Sequence, residues 1–141
     1  MKVGRLPGVL AGVFLIGLAG SATSATTCLA AGTIRSEELT EILVQLLSVY
    51  SVHLAVVIAG MFAHDSKIPD APLGSGPALV AIVLAVLWNT LLFGRFLMFA
   101  VVKADAVDEL LSYTTRVSAA SSFLVAGTLS YVFSREGKQA G

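Results

Sequence analysis

Charged residues punctuate this chain sparsely, and the stretches between them have the length of a membrane crossing. No Asp, Glu, Lys or Arg occurs between Arg5 and Arg35, from Ile42 to Ala63, or from Val117 to Ser134. Ala78 to Val102 is interrupted only by Arg95. A spanning helix needs ~17–25 mostly apolar residues. Each charge at a bilayer centre costs roughly 2.5–3.5 kcal/mol on insertion scales, so charges mark where spans stop. Lipid offers no partner to a free backbone N–H or C=O, which makes helix the expected form of every such stretch. The pattern predicts an all-α integral membrane protein: a bundle of three or four transmembrane helices joined by short loops, with spans at about 39–63, 78–102 and 117–134.

The segments between the stretches agree with that reading. "HDSKIPDAPLGSGP" (64–77) concentrates proline and glycine and predicts a non-helical turn. "TIRSEELTE" (33–41) reads as a helix start, with Ser36 as the expected N-cap and Glu37 and Glu38 suited to the positive end of the helix dipole. "KADAVDELLSYTTR" (103–116) lacks Gly and Pro and places Val107, Leu110, Leu111 and Thr114 at helical spacing. It is expected either to lengthen the third or fourth helix beyond the membrane or to lie as a short interfacial helix between them.

Residues 1–32 admit two readings, a first transmembrane helix or a cleaved signal peptide. Lys2 and Arg5 form a positive start, Leu6 to Gly20 an apolar run, and "SATSA" a small-residue patch suited to cleavage. The polar "SATSATT", where the second half of a span is expected to be apolar, favours cleavage. Residues 33–141 form the transmembrane helical domain in either case. A lipid-modified Cys28 is disfavoured, because "ATTC" lacks a leucine three residues before the cysteine. With the N-terminus inside, Lys2, Arg5, Lys67, Arg135 and Lys138 are cytoplasmic and Arg35, Lys103 and Arg116 outside. That excess places both termini in the cytoplasm before any cleavage. The expected location is a bacterial inner membrane.

Composition narrows the functional classes. Only 13% of the 141 residues are charged and 56% are hydrophobic, whereas a soluble domain carries about a quarter charged. The net charge is zero and no basic tract occurs, which argues against nucleic-acid binding. A single cysteine excludes an intrachain disulfide and a cysteine-rich metal site.

Polar residues within the spans are the candidate chemistry. His53 and Asn89 fall at similar depths on antiparallel spans, which predicts a hydrogen bond between them across the helices. A haem would want a second histidine at matching depth, and His64 lies on the same helix, about 16 Å along it at 1.5 Å per residue. No metal and no cofactor is therefore expected. Arg95 falls about 10 Å below the outer interface, close enough for its side chain to reach outward. Gln45, Ser48 and Tyr50, with Ser121 and Ser122, are its neighbours in depth, and Glu41 just above is its expected ionic partner. Two small-residue ladders predict close helix packing: Gly4, Gly8 and Gly12 near the start, and Ser118, Ser122, Ala126 and Ser130 on the last span.

No phosphate loop, HExxH, G-x-S-x-G or intramembrane carboxylate pair occurs, so an enzyme is not expected. The expected function is that of a small non-catalytic integral membrane protein, a subunit of a homo-oligomer or of a larger membrane complex. Its expected partners are the lipid bilayer and either other copies of itself or other membrane subunits. The alternative is a small ion channel in which Arg95, His53 and Asn89 line a polar path.

Overall fold

The computed structural model describes residues 6–64, 75–102 and 106–139. Among them the fold is entirely helical: α1 (Leu6–Ala30), α2 (Ser36–His64), α3 (Ser75–Val102) and α4 (Val107–Gln139). The three expected spans fall inside α2, α3 and α4. Helices α1, α2 and α3 are long and apolar enough to cross a membrane. At 1.5 Å per residue α1 is about 37 Å long, against a hydrocarbon core of about 30 Å.

The helices form a square in which α1 runs antiparallel to α2 and parallel to α3. α1 packs against α2 and α3, and α4 packs against the same two from the opposite corner. α2 and α3, consecutive in sequence, therefore face each other across the diagonal. Of segment 103–116, residues 107–116 belong to the fourth helix and 103–105 lie outside the described residues: α4 runs unbroken from Val107, with Leu110 and Thr114 on its buried face and Ser118 and Val125 continuing it. The turn predicted over 64–77 is helical at both of its ends. His64 still belongs to α2 and residues 75–77 to α3, where Pro77 fits a first turn that needs no N–H from it; the remainder of that segment lies outside the described residues.

The α1–α2 turn is built by two capping devices. Gly32 adopts φ +67°, a conformation that costs other residues about 1–2 kcal/mol. Thr33 N–H donates to Cys28 O and Gly32 N–H to Leu29 O, both at 2.9 Å, which closes the α1 C-terminus in a Schellman motif. The expected N-cap, Ser36, is one residue late. Leu39 N–H donates to Arg35 O, and Arg35 N–H donates to Glu38 Oε2 at 2.6 Å. Arg35 is thus the N-cap and Glu38 the reciprocal half of a capping box. Ile34 and Leu39 occupy the two staple positions around the cap, and both join the core.

The chain is apolar outside as well as inside. Leu15, Ile16, Val44, Leu47, Val80, Val83, Leu87, Met98 and Val101 are exposed, while Ser21, His53, Asn89, Thr114 and Ser118 are buried. Water would penalise that distribution, and lipid does not. The "SATSATT" run follows the same logic. Thr23, Ser24, Thr26 and Thr27 each donate to the carbonyl four residues back, at 2.7–2.9 Å. Their hydroxyls are satisfied within α1, so these four positions are compatible with a span.

Candidate functional site

The polar and aromatic centre of the bundle is assembled from α1, α2 and α3. Phe14 comes from α1, Tyr50 and His53 from α2, and Trp88 and Asn89 from α3; all five are buried. Tyr50 and His53 share a face because they are three residues apart on a helix. The rings form a closed cluster. Phe14 stacks on His53 at 5.3 Å and 28° and meets Trp88 edge-on at 5.6 Å. Trp88 meets Tyr50 at 4.9 Å and His53 at 4.4 Å between ring centroids. Offset and edge-to-face rings of this kind contribute about 0.5–1.5 kcal/mol per pair beyond area burial.

One turn along, the Tyr50 hydroxyl donates to Asn89 Oδ1 at 3.1 Å, and Asn89 Nδ2 donates to Ala85 O at 2.8 Å. This replaces the expected His53–Asn89 bond. Their depths are close, but His53 turns its Nδ1 to the Val49 carbonyl at 3.1 Å, and Trp88 packs against its ring. The longer Tyr50 side chain reaches Asn89 instead.

Gly17 of α1 makes room for that pair. A Cβ there would lie 2.7 Å from Asn89 Cγ and 2.9 Å from the Tyr50 hydroxyl, inside any tolerable contact. A Cβ on Gly20 would lie 2.9 Å from Phe93 Cε2. The close helix approach is thus at Gly17 and Gly20. Gly8 and Gly12 face open space within this chain, so they do not perform the intrachain packing that their spacing suggested; Gly4 lies outside the described residues. In the second ladder Ser118 is buried on α4, and the side chains of Ser122, Ala126 and Ser130 lie outside the described residues.

Towards the end of α3 the polar contacts join α4. Arg95 is half-buried, and its guanidinium carbon lies 5.2 Å from the centroid of the Tyr113 ring. Glu41, its expected partner, is exposed. Tyr113 lies in the segment whose helix had not been assigned between two spans, which hid it as a neighbour. Nearby, Gln45 Nε2 donates to Thr115 Oγ1 at 3.0 Å, linking α2 to α4.

Trp88, Phe14, Gly17 and Tyr113 are the residues that sequence reasoning passed over. A signal existed for the first. Tryptophan in membrane helices favours the interfaces, and the single tryptophan here stands mid-span beside an asparagine. Among the described residues no group of His, Cys, Asp and Glu is placed to hold a metal ion.

No family model, no characterised protein and no solved structure matches this chain. The geometry stands alone. It describes a buried centre in which the Tyr50–Asn89 hydrogen bond joins α2 to α3.

Proposed function

We propose that this chain is a small non-catalytic integral membrane protein that acts as a subunit of a homo-oligomer or of a larger membrane complex. The observation that carries the reading is the inverted surface. Large aliphatic side chains cover the outer faces of α1, α2 and α3 while the polar groups lie between the helices. The α1–α2 connection is a tight turn, which offers little to a soluble ligand. Recognition then runs through helix faces, where close van der Waals packing drives association in lipid. The open face carrying Gly8 and Gly12 is the part of α1 left for another chain.

In this reading residues 1–32 are retained, because Leu6, Leu10, Phe14, Gly17, Ser21, Ala25 and Cys28 all contribute to the interior. Removing α1 would uncover Tyr50, His53 and Asn89. The orientation that follows from the lysine and arginine bias puts both termini in the cytoplasm of a bacterial inner membrane. The channel alternative has less support: His53 and Asn89 are enclosed by Phe14, Tyr50 and Trp88, so a conducting path would have to form between copies.

Size analysis and cross-linking in a mild detergent test the proposal. An oligomer or a stoichiometric membrane partner is expected. A clean monomer at membrane-like protein-to-lipid ratios would sink it, and selective ion flux in liposomes would favour the channel.

A further inference from the structure

The aromatic centre contains two polar atoms that the protein leaves without a hydrogen bond, His53 Nε2 and Trp88 Nε1. His53 is fully buried and Trp88 is 1% exposed, and their ring centroids are 4.4 Å apart. The chemistry of the two atoms is complementary. A backbone carbonyl only accepts, so the His53 Nδ1 facing Val49 O carries the proton. The neutral imidazole then presents a bare lone pair at Nε2. The indole Nε1–H of Trp88 only donates. Each unsatisfied polar group inside a bilayer costs several kcal/mol. The rings lie tilted at 42° and make no direct hydrogen bond to each other.

We propose that His53 Nε2 and Trp88 Nε1 form a binding site for one small neutral hydrogen-bonding molecule, and that its occupant is water. Such a molecule accepts from Trp88 and donates to His53, satisfying both groups. The surrounding Phe14 and Tyr50 rings shield the molecule from lipid and slow its exchange. Buried waters with two or more such partners are regular parts of folded proteins. The site makes His53 an internal hydrogen-bond acceptor rather than a ligand for metal. It does not depend on how the chain assembles.

Trp88 is the only tryptophan, so its indole proton gives a single resonance. In the full chain, in micelles, that proton is expected to show magnetisation transfer with water. The transfer is expected to lose most of its intensity in His53→Phe. It should persist in His64→Ala, which keeps the site. The ring nitrogens of His53 in the unaltered chain give a second readout that no variant can confound by misfolding. A protonated Nδ1 with a hydrogen-bonded Nε2 is expected, shifted upfield of an Nε2 left bare. An indole proton silent towards water, or an Nε2 with the shift of a bare nitrogen, would overturn the proposal.

Discussion

The Tyr50 hydroxyl meets Asn89 Oδ1 at 3.1 Å against the bare backbone of Gly17, so three helices share one contact. Tyr50→Phe leaves the Asn89 oxygen without a donor in a buried site. Asn89→Leu removes the pair from the other side at similar volume. Each is expected to destabilise the bundle, and the double variant by less than the sum. The coupling should be about 0.6 kcal/mol and no more than about 1.7, the range for interhelical hydrogen bonds in membranes. Reversible denaturation in mixed micelles measures it. Additive single effects would mean the bond contributes nothing beyond packing.

Glycine substitutions should divide into two classes. Gly17→Ala places a methyl where Asn89 and Tyr50 already sit, and overpacking of this kind costs about 1–3 kcal/mol. Gly8→Ala and Gly12→Ala meet nothing within 4 Å in this chain. Their effect on the isolated bundle should be neutral or stabilising by up to about 1 kcal/mol, from helix propensity alone. The bulkier Gly12→Leu asks the other question. If a second chain packs on that face, Gly12→Leu lowers association while leaving the monomer's thermal midpoint unchanged. An oligomer that survives Gly8→Leu and Gly12→Leu together would move the interface elsewhere.

Helix number and the apolar spans were legible because charges are so costly in lipid that they fence each helix. Contacts were less legible, for physical reasons. His53 and Asn89 are matched in depth, but depth does not fix rotation about the helix axis or the reach of a side chain, and Tyr50 won. Small-residue spacing identified faces that permit close approach without saying which face is used; Gly8 and Gly12 have the spacing, and Gly17 and Gly20 have the neighbours. The polar run at 21–27 does not by itself argue against a span, because hydroxyls can return to their own helix, as Thr23, Ser24 and Thr27 do. Glu41 was paired with Arg95 by height alone, while the Tyr113 ring, which the guanidinium also meets, lay in a segment with no assigned span.

The turn between α1 and α2 gives a prediction independent of membrane packing. Gly32 is the one glycine of the described residues with positive φ, and nothing crowds it. Gly32→Ala should therefore cost about 1–2 kcal/mol through backbone strain alone. Gly32→Asn should recover part of the loss, since asparagine tolerates that conformation better. Glu38→Ala removes the acceptor for Arg35 N–H and should cost about 1 kcal/mol. Amide hydrogen exchange at residues 34–39 should rise in Glu38→Ala and not in Glu37→Ala.

Arg95 and Tyr113 provide the sharpest test of what an intramembrane charge does here. The guanidinium lies 5.2 Å from the ring centroid, and a cation–π contact is worth about 0.5–1 kcal/mol when exposed and about 2 when desolvated. Tyr113→Leu keeps apolar bulk and loses the ring's negative face, so it should destabilise by an amount in that range. Tyr113→Phe keeps the face and should lie close to the unaltered protein. Arg95→Leu removes the cation and with it the cost of holding a charge below the interface, so its net effect on stability should be smaller than that of Tyr113→Leu. In the Arg95→Leu background Tyr113→Leu should then cost little. Assembly separates the structural role from a role towards a partner. If Arg95 serves only the α3–α4 contact, Arg95→Leu retains the oligomer or complex. If it instead anchors another subunit, Arg95→Leu releases that partner while the thermal midpoint of the bundle stays in place.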